Sequence, residues 1–309
     1  MKIAVVGCGA MGSVYAGRLA AAGHEVIGVH RGAEHVAAMA ADGLEVQGPD
    51  GTLRARLRAV RAAPAEPVDL VVIAVKAAHV GGAAAQAQPM IGPGTVVLTI
   101  QNGIGSADEV AAAVGGDRLA VGVAGGFGAE LRRPGVVSHE AMRLVEIGPF
   151  GSGADLDLEP IAEAWRRAGF TIEIVPDIRA VQWAKLIRNA AYSAISALTG
   201  LPIGRVADHP QLGRVSRAAA REAWEVATAL GVEHGVEDPE AHAEEFARLM
   251  PAARPSALVD LEHGRPTEIG VINGAVVRHG TELGVPVPVS TTLCALVAGR
   301  ELHLDRTDA

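Results

Sequence analysis

The first twelve residues constrain this chain more than any other stretch. Met1 to Val6 is a short apolar run that enters Gly7-Cys8-Gly9-Ala10-Met11-Gly12 directly. Ser13 to Ala22 then reads as a helix and His24 to Val29 as a second strand. A Gly-x-Gly-x-x-Gly turn between a strand and a helix is the arrangement that cradles a dinucleotide. Gly7 permits the tight turn, Gly9 lets backbone approach a pyrophosphate, and Gly12 lets the helix lie close to the strand. The start of the helix offers unpaired N–H groups and the positive end of its dipole to the phosphates. Cys8, Ala10 and Met11 complete the candidate cofactor turn.

The tip of the second strand sets which dinucleotide is expected. A site for NAD places Asp or Glu there to bond the ribose 2′-hydroxyl, whereas Arg meets a 2′-phosphate. Here the segment is Val26-Ile27-Gly28-Val29-His30-Arg31-Gly32, with no carboxylate at the tip and Glu34 too far beyond it. Arg31 is therefore the expected 2′-phosphate ligand and NADPH the expected cofactor, because a guanidinium pairs well with phosphate oxygens. A partly protonated His30 would assist.

Further along, β-branched runs alternate with alanine-rich helical stretches, the pattern of a parallel sheet with crossover helices. Val68 to Val75, Thr95 to Ile100, Leu119 to Val123 and Phe170 to Val175 read as strands, and Val136-Val137-Ser138 with Leu144 to Ile147 as a hairpin at the sheet edge. After Pro176 the periodicity is helical, broken at prolines. The expected fold is α/β: an N-terminal Rossmann-type doubly wound parallel sheet over residues 1–177, then an all-helical domain over 178–309 that carries substrate and catalysis.

Length and charge bound the partners. At 309 residues with a formal charge of −8, the chain is large enough for two domains and has no basic run to neutralise phosphates, so no nucleic-acid partner is expected. No apolar run reaches the ~20 residues of a membrane span. The amino terminus reads as a strand rather than a signal peptide. Two cysteines, Cys8 and Cys294, read as reduced thiols, and no spacing of His, Cys and carboxylates suggests a metal. The expected setting is the cytoplasm. Apolar helices in the second domain leave a homodimer open.

Ligands of open α/β sheets bind beyond the carboxyl ends of the strands. Two such ends carry Lys76 and Asn102, the candidates for the nicotinamide side of the cofactor. In the helical half, Lys185, Asn189 and Ser193 recur every four residues and share one helix face. Buried among apolar neighbours, such groups must be paired or line a cavity. A second cluster is Pro255-Ser256 to Ile269: Ser256 and Asp260 lie one helical turn apart, and Thr267 with Glu268 opens the next helix, with Thr267 as its cap.

Taken together, these blocks resemble the ketopantoate reductase family over essentially the whole chain. The resemblance rests on the Gly7–Gly12 turn, Val75-Lys76, Gln101-Asn102-Gly103, Lys185 with Asn189, Pro255-Ser256, and Arg265-Pro266-Thr267-Glu268-Ile269. It implies NADPH-dependent reduction of a small-molecule 2-keto acid, ketopantoate, to the 2-hydroxy acid pantoate. It further implies Lys185 as the catalytic lysine and Glu268 as the carboxylate that bonds the reacting hydroxyl or the lysine network. Asn189, Ser193 and Ser256 fall at substrate positions, and Lys76 and Asn102 at cofactor positions. Three positions depart from the pattern. Ser193 stands where pantoate-making members carry a second asparagine, Ala257 replaces a methionine and Gly270 an aspartate. Another keto acid, carbonyl or imine is therefore the alternative substrate, and a cofactor-binding sensor without turnover the alternative class.

Overall fold

A computed structural model describes residues 1–126, 128–141, 144–151 and 156–304, and the statements below concern these residues. The chain divides into two compact units, Met1–Gln101 with Ser106–Ile178, and Asn102–Gly105 with Arg179–Ala309.

The first unit contains strands β1 (Lys2–Val6), β2 (Glu25–Val29), β3 (Leu44–Gly48), β4 (Gly51–Ala55), β5 (Arg58–Val60) and β6 (Val68–Ile73). These are followed by β7 (Ile91–Thr99), β8 (Leu119–Gly125), β9 (Gly128–Arg133), β10 (Val136–Ala141), β11 (Leu144–Pro149) and β12 (Ile172–Ile174). Its helices are α1 (Ala10–Ala21), α2 (Ala33–Asp42), α3 (Val80–Ala87), α4 (Ser106–Val114) and α5 (Glu159–Arg167). Eight strands form one sheet in the order β12-β11-β8-β7-β6-β1-β2-β5. Every neighbouring pair is parallel except β8 with β11. The chain starts in the middle, at β1, moves out to β2 and β5, and returns on the other side at β6. That reversal beside β1 is the switch point where doubly wound sheets bind nucleotides. The N-terminal parallel sheet and the helical C-terminal part agree with the fold class expected above.

A second sheet, β4-β3-β10-β9, is where the structure departs from that expectation. The expected edge hairpin does not form: β10 pairs with β3 and β9, while β11 pairs with β8 and β12. Alternating runs close in sequence suit a hairpin, but each found a better-matched partner elsewhere. The extra sheet explains the burial of α1. Val14, Tyr15, Ala16 and Leu19 share one core with Ile3 and Val5 of β1 and with Leu44, Val46 and Val137 of the second sheet. Tyr15 also stacks against Trp165 and Phe170, with ring centroids 5.0 and 5.8 Å away. A helix apolar on most of its surface needs cover on most of its surface.

The second unit is helical: α6 (Ile178–Thr199, beginning at the boundary residue), α7 (Ile203–Asp208), α8 (Pro210–Ala229), α9 (Pro239–Leu249), α10 (Ser256–Glu262), α11 (Asn273–Leu283) and α12 (Pro288–Glu301). Trp183, Leu186, Ile187, Ala190, Ala191 and Tyr192 of α6 form its core with Ala219, Ala223 and Val226 of α8. Glu222 of α8 is buried, and its two carboxylate oxygens accept the N–H groups of Val289 and Ser290, each at 2.7 Å. A buried anion thus caps the positive end of α12. Among the described residues no helix is long and apolar enough to cross a membrane.

Candidate active site

The glycine turn is built by backbone. The N–H groups of Gly7 and Cys8 both donate to Val29 O at 3.0 Å, and Gly9 N–H donates to Gly7 O at 2.7 Å. Cys8 is fully buried, its thiol directed at Val5 O (3.5 Å) and pushed up to about 12 by burial. Its N–H and side chain are therefore committed inside the unit, and the thiol is inert. The N–H groups of Ala10, Met11 and Gly12 have no acceptor among the described residues. No side chain caps α1 and no acidic residue lies in its first turn. The glycines divide by what a Cβ would meet. At Gly12 it would lie 2.1 Å from Gly7 O, whereas at Gly9 it would meet nothing within 4 Å. The room at Gly9 serves no contact within the fold, so the residues present fit an approaching pyrophosphate.

A buried polar chain holds this turn from behind. Gly135 N–H donates to His35 Nδ1 (3.0 Å), which leaves His35 Nε2–H to face Ser13 Oγ (3.2 Å), and Ser13 Oγ donates to Cys8 O (3.0 Å). Burial, helped by neighbouring His30, lowers the His35 pKa from 6.5 to about 4. The unfolded chain takes up this proton near pH 6.5 but the folded protein only near 4, so stability is complete above pH 6.5 and is lost as pH falls towards 4. Thermal midpoints of wild type and His35→Asn should therefore converge as pH drops through that window. Parallel midpoint curves would show that His35 does not carry the loss.

Arg31 follows β2 and is exposed, as the 2′-phosphate reading needs. Burial and the Arg31 charge lower the pKa of His30, whose Nδ1 accepts Gly32 N–H at 3.0 Å. Lys76 is exposed three residues past β6, at the start of a 3₁₀ turn over Ala77–His79.

Asn102 belongs to the second unit, although it leaves the end of a first-unit strand. Its Oδ1 accepts a hydrogen bond from Lys185 Nζ at 2.8 Å. Next to it, Gly103 has φ +82°, and a Cβ there would lie 2.1 Å from Val271 O. This close approach lets Ile104 N–H donate to Val271 O at 2.9 Å. Val271 ends the 3₁₀ turn Ile269–Val271, whose preceding residue is the half-buried Glu268. A second tie joins the same segment to the lysine helix: buried Asn273 donates from Nδ2 to Ala190 O of α6 at 3.0 Å. The Lys185 helix, the Asn102 loop and the Glu268 turn are thus one connected scaffold.

The remaining candidates grade along this scaffold. Lys185 and Asn189 are half-buried on α6, and Ser193, on the same face, is 5% exposed. Ser256 is exposed as the first residue of α10, whereas buried Asp260 takes both Nε and Nη2 of Arg265 (3.2 and 3.1 Å), which ties down the loop leading to Glu268. Thr267 caps a 3₁₀ turn, accepting Ile269 N–H at 3.2 Å, rather than the helix expected; α11 starts only at Asn273. Sequence reasoning missed Glu301, which accepts both the N–H and the hydroxyl of Thr267 at 2.7 Å. It also missed Asn273, which carried no signal in the sequence. Cys8 and Cys294 are both free thiols.

A doubly wound sheet with an open glycine turn, joined in one chain to a helical unit that holds a lysine against an amide, defines an oxidoreductase that uses a nicotinamide dinucleotide. Comparison with known proteins gives its family. The model of the ketopantoate reductase PanE/ApbA family matches residues 3–152, and that of the same family's C-terminal part matches residues 177–301. The chain belongs to this family. It is 32% identical to the 2-dehydropantoate 2-reductase of Archaeoglobus fulgidus over 303 residues, covering 98% of this chain and 99% of that one. Among solved structures it is similar to a PanE/ApbA family ketopantoate reductase from Ralstonia eutropha JMP134, with 34% identity, a TM-score of 0.90, and 99% and 100% of the two chains covered. It is equally similar in fold to D-mandelate dehydrogenase solved with NADH and anilino(oxo)acetate, with 27% identity, a TM-score of 0.91 and 99% of each chain covered.

Proposed function

We propose that this protein reduces a 2-keto acid to the corresponding 2-hydroxy acid with NADPH, and that ketopantoate is the substrate. The observation that carries the reading is the Lys185–Asn102 hydrogen bond on a scaffold that also fastens the Glu268 turn. When bound, NADPH supplies hydride to the carbonyl carbon. Negative charge then develops on the carbonyl oxygen, and a cation that can release a proton there lowers the barrier. Lys185 fills that role. One of its three N–H bonds is committed to Asn102, which sets the direction of the other two. Glu268 balances the lysine's charge and bonds the hydroxyl of the product. Asn189 and Ser256 are neutral donors for the substrate's carboxylate and distal hydroxyl, with Ser193 at the inner end of the stripe. Gly7 to Gly12, Lys76 and Arg31 hold the cofactor.

NADPH is preferred over NADH in this reading because Arg31 stands where a ribose-binding carboxylate would. Exposed Leu283, Leu296 and Leu302 on and after α11 and α12 support the homodimer, and two free thiols suit the cytoplasm. A second substrate reading, an aromatic 2-keto acid, draws on the fold likeness to D-mandelate dehydrogenase and on Ser193, shorter than the amide of pantoate-making relatives. NADPH oxidation should be followed with ketopantoate, phenylglyoxylate and a series of aliphatic 2-keto acids. The highest kcat/KM is expected for ketopantoate. A preference for phenylglyoxylate would replace the substrate and keep the chemistry, and silence on every 2-keto acid would reject both.

A further inference from the structure

Two arginines meet at one corner of the eight-stranded sheet. β2 and β5 run parallel with Val29 opposite Val60, so the chain leaves both strands at the same edge. His30 N–H donates to Val60 O at 3.1 Å, and one residue further on Arg61 Nε donates to the main-chain oxygen of Arg31 at 3.2 Å. Arg31 and Arg61 are both exposed. Neither forms an ion pair with a described carboxylate, although their neighbours do: Arg54 pairs with Glu45 and Arg58 with Glu66. Two cationic side chains rooted at one corner favour an anion there, and a dianion most of all. With Nε fixed on a carbonyl, the two Nη atoms of Arg61 remain as a planar fork of the kind that grips phosphate oxygens.

We propose that Arg61 is a second reader of the adenosine 2′-phosphate of NADPH, acting beside Arg31. The inference rests on the NADPH reading above and adds a residue to it. Arg61 determines cofactor specificity through its charge, and its bond to the Arg31 carbonyl sets where that charge sits. Its sequence context announces none of this, because β5 is three residues long and the contact it makes joins Arg31 to Arg61, 30 positions apart.

Binding of NADPH and NADH, followed by the change in their fluorescence, tests this in wild type, Arg61→Ala, Arg61→Gln, Arg31→Ala and the Arg31→Ala/Arg61→Ala double variant. Arg61→Ala and Arg61→Gln should each raise the Kd for NADPH about 10-fold or more and that for NADH less than about twofold. The dependence of NADPH binding on salt should also become shallower. Unchanged NADH binding reports an intact fold. Arg61→Gln keeps an N–H donor for the Arg31 carbonyl without the charge, so recovery of wild-type NADPH affinity in it would reduce Arg61 to a loop prop and overturn the proposal. Equal losses for both cofactors would do the same. In the double variant NADPH should bind more weakly than in Arg31→Ala alone; no further loss would remove the direct contact. A wild type that binds both cofactors equally would reject the NADPH reading and this proposal with it. Discrimination lost in Arg31→Ala but kept in Arg61→Ala would reject the role of Arg61 alone.

Discussion

Replacing Lys185 by alanine is expected to lower kcat ~10²–10⁴-fold, the range of a general acid, while NADPH affinity stays within about twofold. The lysine is a member of α6, a helix whose other face is the core of the second unit, so removing its side chain leaves the packing of Trp183, Leu186 and Ile187 in place. What is lost is the cation held at 2.8 Å from Asn102. Lys185→Arg separates charge from proton transfer. A guanidinium keeps the positive charge but does not release a proton near neutral pH, so it should recover binding and little of the rate. Single-turnover rates with saturating NADPH are the measurement. A Lys185→Ala enzyme at wild-type speed would remove the lysine from the reaction.

The second large effect lies at the glycine turn, where two alanine substitutions should fail in opposite ways. A Cβ on Gly12 would stand 2.1 Å from Gly7 O and 2.9 Å from Gly7 C, and neither backbone atom can move without opening the turn. Gly12→Ala should therefore cost ~1–3 kcal/mol or more in stability, as overpacking does, and lose the cofactor as a consequence. Gly9 has φ −77°, which alanine adopts freely, and open space around its Cβ position. Gly9→Ala should keep its stability within ~0.5 kcal/mol of wild type yet bind NADPH at least ~10-fold more weakly, because only the approaching pyrophosphate meets the methyl group. Denaturant titration and cofactor binding on both variants separate the cases. Wild-type NADPH affinity in Gly9→Ala would mean that the cofactor does not pass over this residue.

Much of the first unit was readable along the chain because its signals are local. A buried parallel strand is a continuous apolar run, and the glycine turn declares itself within six residues. The second sheet was not readable. Its strands β3 and β4 are half-exposed segments beside α2, and β10 pairs in parallel with β3, about 90 residues earlier. No neighbouring residue encodes that partner. The same holds for the supports of the candidate site. Asp260 looked like a second chemical group but braces Arg265, while Glu301 and Asn273, which looked like nothing, anchor Thr267 and the lysine helix.

From residue order alone one learns that a dinucleotide turn opens the chain, that an arginine stands where a ribose carboxylate would, and that a lysine, an amide and a hydroxyl recur every four residues in a helical second half. Periodicity and turn chemistry act over a few residues, and these features need no more. Folding decided the rest. It joined Asn102 to Lys185, fastened the Glu268 turn to the same loop, and set Arg61 beside Arg31, because hydrogen bonds and strand pairing act on distance in space and not along the chain.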